Sequence, residues 1–155
     1  MEEIEKGIHY SLRLLTVRPR SEKEIEERLK RKGFSSQVIP KIIDKLKEWD
    51  YLDDEKFAQA WIEERILHHP KGRIALSREL REKGISSQII DKLLNHYLPH
   101  DKEKEIAKKL LIKKLAKEKY TPIEKKKRRV FEYLARRGFS FSLIQEILNK
   151  DLEGE

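Results

Sequence analysis

One corner is written three times in this chain. Leu29 to Ile39 reads LKRKGFSSQVI, Leu80 to Ile90 reads LREKGISSQII, and Leu134 to Ile144 reads LARRGFSFSLI. Each copy ends a helical run on a glycine, which can take the left-handed conformation that closes the last carbonyls without a Cβ penalty. An apolar residue follows (Phe34, Ile85, Phe139), placed to pack back on the helix just ended. Serines come next (Ser35 or Ser36, Ser86 or Ser87, Ser140 or Ser142), residue types that accept from a free amide and start another helix. The glycines are spaced 51 and 54 residues apart. Pro19, Pro70 and Pro122 precede them by 14, 14 and 16 residues, where a first helix should stop and a second begin. Ser21 with Glu24 forms a capping-box pattern for the second helix of the first unit. A period near 50 residues with three helical segments in each indicates tandem helical modules.

Apolar spacing supports this reading. Ile25 and Leu29 are matched by Leu76 and Leu80, then by Val130 and Leu134. After the corners come Ile39, Ile42, Ile43 and Leu46, then Ile90, Leu93 and Leu94, then Ile144, Ile147 and Leu148. The leading helices carry Ile8, Leu12 and Leu15; Phe57, Trp61 and Leu67; and Ile106, Leu110 and Leu111. These are single stripes at helical spacing, with no competing strand pattern. The expectation is an all-α chain of three three-helix repeats, over residues 1–52, 53–101 and 102–155. Charged residues make up 41% and hydrophobics 37%, a thin apolar supply that favours elongated packing over one compact globule.

Charge is unevenly placed. The net charge is +8, yet residues 1–101 hold 20 basic and 19 acidic side chains, whereas residues 102–137 hold 15 basic and 5 acidic. A positive field concentrated in one segment points to a polyanion or an acidic protein surface as partner. On a helix over 125–137, Val130, Phe131 and Leu134 form the buried side. Lys125, Arg129 and Arg136 fall opposite it, with Lys126, Tyr133 and Arg137 in an adjacent stripe. In the preceding helix Lys102, Lys109 and Lys113 share a face. These eight cations are the candidate binding residues, for phosphate or for carboxylates, unless they simply form a solvated face.

Other chemistries find little support. With no cysteine, disulfides, thiolate metal sites and cysteine nucleophiles are excluded. His96 and His100 have a zinc-compatible spacing, but Pro99 between them breaks the helix, so no metal or cofactor is expected. Asp53 or Asp54 reads as a helix cap rather than half of an acid–base pair. No nucleophile elbow, phosphate-binding glycine loop or zinc-protease signature is present, so an enzyme is not expected. Trp49, Tyr51, Phe57 and Trp61 suit base stacking or, more often in such modules, packing of one module on the next. The opening carries acids and no apolar leader core, and no stretch would span a membrane, so the expected compartment is the cytoplasm.

Three segments carry a family resemblance: LRLLTVRPRSEKEIEERL (Leu12 to Leu29), EWDYLDDEKFAQAWIEERI (Glu48 to Ile66) followed by KGRIALSRELREKGIS (Lys71 to Ser86), and YLARRGFSFSLIQEIL (Tyr133 to Leu148). Together they resemble the RecX regulatory proteins over roughly residues 8–150. The resemblance implies three tandem three-helix repeats in an elongated, curved array. It also implies a modulator that lies on the RecA–single-stranded DNA filament and inhibits recombinase and ATPase activity; a monomer is expected. Duplex DNA would be bound more weakly and without sequence preference. The rival reading is a general nucleic-acid-binding helical module with no RecA-specific role.

Overall fold

The computed structural model describes residues 2–153 and the side chains of residues 2–150; the acidic end of the sequence, Glu155, lies outside them. Among the described residues there are nine helices and no strand: α1 (Glu2–Val17), α2 (Glu22–Lys32), α3 (Ile39–Glu48), α4 (Asp54–His68), α5 (Arg73–Glu82), α6 (Ser87–Tyr97), α7 (His100–Lys117), α8 (Ile123–Arg136) and α9 (Phe141–Glu153). The chain divides into two compact units. The first comprises Met1–Trp61 with Leu80–Ile90, the second Ile62–Glu79 with Asp91–Glu155.

The three corners share one geometry. Gly33, Gly84 and Gly138 have φ of 103°, 81° and 91°, in the left-handed region. The residue after each glycine donates its N–H five residues back: Phe34 to Leu29 O at 3.1 Å, Ile85 to Leu80 O at 3.0 Å, Phe139 to Leu134 O at 3.2 Å. Each glycine N–H reaches three residues back, to Lys30, Arg81 and Ala135. This is the Schellman closure, and any residue with a Cβ would oppose it by about 1–2 kcal/mol. The serine caps form at two corners only. Ser86 Oγ accepts from Ile89 N–H at 3.3 Å and Ser140 Oγ from Leu143 N–H at 3.2 Å. At the first corner neither Ser35 nor Ser36 caps. A turn intervenes, α3 begins at Ile39 with Pro40 in its first turn, and Ser35 N–H goes to Glu3 Oε1 at 3.0 Å. Pro40 has no N–H to close a helical turn onto Ser36 O, and it sits instead in the first turn of α3, where proline is tolerated.

In the first unit, Ile25, Leu29, Ile39, Ile42, Leu46 and Leu52 form a core. The capping box is present: Glu24 N–H donates to Ser21 Oγ and Ser21 N–H to Glu24 Oε1. α1 meets α3 through small residues. Gly7 and Ser11 are buried, Ser11 Oγ donates to Gly7 O at 2.8 Å, and a Cβ on Gly7 would strike the Ile42 side chain. Ile8, Leu12 and Leu15, expected as the buried stripe, flank this close approach half-buried. In the second unit α7, α8 and α9 enclose Ala107, Leu110, Leu111, Val130, Leu134, Phe139, Leu143, Ile144, Ile147 and Leu148. On α4, Phe57, Ala58 and Ile62 are buried, whereas Leu67, expected in that stripe, is 74% exposed.

Each unit contains one joint between consecutive repeats, and the two are built alike. In the first unit the N-terminus of α2 receives a carboxylate from the next repeat: Glu22 N–H donates to Asp54 Oδ1 at 2.9 Å. In the second unit Arg73 N–H, at the start of α5, donates to Glu103 Oε2 of α7 at 2.8 Å. The corner glycine of the following repeat touches the same turn. Gly84 lies against Lys23, and Gly138 against Ala75, with Ile74 N–H donating to Gly138 O at 3.1 Å. A carboxylate at a helix N-terminus satisfies an orphan amide and meets the positive end of the helix dipole. Asp53, next to Asp54, is the cap of α4 itself, accepting Lys56 N–H at 3.1 Å.

Two outcomes follow from the joints. A Cβ on Gly84 would stand 2.6 Å from Lys23 Cβ, whereas one on Gly33 would meet nothing within 4 Å. Gly33→Ala should therefore cost about 1 kcal/mol, the left-handed penalty alone, and Gly84→Ala clearly more. Equal losses in chemical denaturation would contradict the joint. Asp54 is half-buried beside Glu22, and burial, then the neighbouring carboxylate, raises its pKa from 3.8 to about 6. The stability held by that proton is fully present below pH 3.8 and lost as pH rises through about 6. Asp54→Asn should thus gain on the parent by roughly 1 kcal/mol between pH 4 and pH 7.5, after allowance for solvent screening. A pH-independent difference in unfolding free energy would rule this out.

Candidate nucleic-acid interface

The eight cations singled out in the sequence all lie in the second unit, but they do three different things. Lys102, Lys109 and Lys113 project from one face of α7 and line a groove of about 460 Å³. Its floor is apolar, formed by Ile66, Pro70, Ile106, Leu110 and Ile112, and Glu105 shares the rim. Lys109 is 3.7 Å from Glu105, one turn away on the exposed surface, a pair of the kind worth little in water. Lys102 and Lys113 have no carboxylate partner among the described residues, and both are exposed.

On α8, Lys125 and Arg136 are exposed and Lys126 half-buried, again with no carboxylate partner among the described residues. Arg129 and Arg137 differ. Arg129 Nη1 is 2.8 Å from Glu118 Oε2, and the same carboxylate accepts from Thr121 Oγ1 at 2.6 Å and pairs with Lys114 at 3.6 Å. Glu118 is buried at the C-terminal end of α7, so these donors tie the α7–α8 connection together. The hydrogen bonds from Thr121 and Arg129 hold its carboxyl below the usual carboxylate range. Arg137 donates to Pro70 O at 3.3 Å and lies over the Tyr133 ring at 5.4 Å. Although residues 102–137 hold 15 basic and 5 acidic side chains, the candidate Arg129 is paired, with its partner Glu118 at the end of α7.

Three features lay outside the sequence reading. Lys117, Lys119 and Arg128 add exposed cations, and Lys104 is taken internally by Glu146 at 2.6 Å. Tyr120, 92% exposed in the α7–α8 connection, has Lys119 Nζ 5.6 Å from its ring. An exposed aromatic among unneutralised lysines is the pairing that stacks on bases while the cations meet phosphate. The aromatics weighed in the sequence divide: Phe57 is buried with its ring 5.8 Å from Trp61, and Lys83 lies over Trp61, while Trp49 and Tyr51 are about half exposed. His96 closes α6 and His100 opens α7, so they do not share a helix face, and no metal-binding cluster occurs among the described residues. No described helix is long and apolar enough to cross a membrane.

This arrangement offers positive charge, hydrogen-bond donors and an apolar groove. Comparison with known proteins gives that surface a context. Family models for RecX match in order along the chain: the first three-helix domain at residues 8–46, the second at 53–94 and the third at 101–148. The regulatory protein RecX of Mycobacterium sp. (strain JLS) is 36% identical over 155 residues, covering 97% of this chain and 84% of the relative. That of Bacillus subtilis (strain 168) is 36% identical over 149 residues, covering 96% of this chain and 56% of the relative. The crystal structure of RecX from Lactobacillus salivarius superimposes with a TM-score of 0.86 at 25% identity, over 96% of each chain.

Proposed function

The chain belongs to the RecX family of regulatory proteins, and from that premise we propose that it binds the RecA–single-stranded DNA filament and inhibits recombinase and ATPase activity. It acts by binding and not by catalysis, as a monomer in the cytoplasm, with no cofactor. The observation that carries this reading is the set of cations in the third repeat that the fold leaves unneutralised: Lys102 and Lys113 on the groove, Lys125, Lys126 and Arg136 on α8. Their mutual repulsion is relieved by an anionic partner, and each phosphate contact releases condensed counterions. The apolar floor between the lysines adds a surface for protein, which suits a partner that is both nucleic acid and polypeptide.

A general nucleic-acid-binding module is the alternative, and exposed Tyr120 favours it, because a stacking residue gains nothing from a strand already sheathed in protein. Mobility shifts on bare and RecA-coated strands across a salt series separate the two. Preference for coated strands supports filament regulation, and tight binding without preference supports the alternative.

Charge reversal is informative only where the fold does not use the charge. The combined Lys102→Glu, Lys113→Glu, Lys125→Glu and Arg136→Glu variant should need at least about tenfold more protein to inhibit RecA ATP hydrolysis, with an unchanged melting temperature. Arg129→Glu should instead lower the melting temperature by opposing Glu118. Undiminished inhibition by the four-site variant would remove this face from the mechanism.

A further inference from the structure

A second basic site lies in the first unit, where the overall charge balance hides it. Arg18 and Arg20, in the connection between α1 and α2, and Arg28 and Arg31 on α2 line a recess of about 130 Å³ together with Glu24 and Glu27. Glu24, Glu27, Arg28 and Arg31 stand at i, i+3, i+4 and i+7, so one helix face meets the connection.

The two carboxylates do not neutralise the four guanidiniums. Glu24 is fully engaged: Oε1 accepts Ser21 N–H, and Oε2 accepts Arg18 at 2.6 Å and Lys83 at 3.5 Å. Glu27 pairs at 4.0 Å with Lys23. Arg20 makes one long bond, Nε to Leu14 O at 3.5 Å, and has no carboxylate partner among the described residues. Arg28 is half-buried and Arg31 exposed, and neither has an ion-pair partner there. Burial first, then Arg18 and Arg28, lower the pKa of Arg20, so these groups sit close enough to repel. That repulsion, offset only in part by Glu24 and Tyr10, is relieved by an anion, and planar guanidinium forks match the oxygens of phosphate in a way lysines do not.

We propose that Arg20, Arg28 and Arg31 form a phosphate-binding site for the backbone of a nucleic-acid strand, separate from the lysines of the third repeat. A strand phosphate, rather than a free one, is the occupant because the donors line an open helix face and connection instead of closing around a dianion. The assignment shares with the proposed function only the premise that nucleic acid is a partner, and its test omits RecA.

Anisotropy of a labelled thymidine oligonucleotide of about 20 nucleotides, titrated with the full chain between 50 and 300 mM salt, reads the site directly. On a single strand each lost phosphate contact reduces the salt slope by about 0.7. Arg28→Ala with Arg31→Ala should weaken binding severalfold and flatten the slope by about 0.7–1.4, while Arg28→Lys with Arg31→Lys keeps most of the slope. The lysine pair also guards against misfolding: if the alanine pair melts early, a slope kept by the lysine pair and flattened by the single exposed change Arg31→Ala still supports the site. An unchanged slope in folded alanine variants overturns it, as does a parent chain that does not bind the oligonucleotide. Protection of the parent by inorganic phosphate, lost in the variants while oligonucleotide binding is not, would assign a free-phosphate site and also overturn it. Inhibition of RecA by the third-repeat lysines stands or falls separately.

Discussion

A carboxylate reaching from one repeat to cap a helix of the repeat before it is the interaction on which the rest depends. Asp54 does this for α2 and Glu103 for α5, and in each case a left-handed glycine corner rests on the same turn. A three-helix repeat of about 50 residues buries only a small core and gains from each neighbour it packs on. The joint completes it, satisfying the exposed amides of one repeat with an acid from the next. The division of the chain follows this logic: both compact units take in parts of the middle repeat, and each contains one joint.

The same use of charge explains why some cations are available and others are not. Where the fold needs a connection held, it places an acid among donors, as Glu118 does for Thr121, Arg129 and Lys114, or Glu146 for Lys104. The cations left over are the ones without such a partner. In the second unit they border an apolar groove and decorate α8; in the first they gather as arginines beside the α1–α2 connection. Charges committed to the fold cannot also be offered to a partner.

Much of the fold was legible because its determinants are local. A glycine after a helical run, an apolar residue after the glycine, and Ser21 with Glu24 act within five residues, and their geometry is as the sequence implies. The joints were not legible, because Asp54 and Glu103 act across 32 and 30 residues. A local reading gives Asp54 to its own helix, where Asp53 in fact does the capping. Arg129 was misjudged for a related reason: a helical wheel sees one helix, and Glu118 lies on the turn before it. The arginine recess escaped notice because summed charge over residues 1–101 cancels, although the individual arginines and acids there are not paired one to one. Leu67 and the Gly7–Ser11 approach show that apolar spacing locates a helix face but not which small residue will be nearest its neighbour.

The central claim is that the third repeat's unpaired cations let this chain restrain a recombinase filament. RecA-dependent ATP hydrolysis on single-stranded DNA, titrated with the full chain before and after filament assembly and repeated at higher salt, tests it most directly. The account predicts that hydrolysis falls as the chain is added in both orders, and that the effect weakens as salt rises. Hydrolysis that is unaffected at saturating chain, or inhibited to the same extent at every salt concentration, would contradict it.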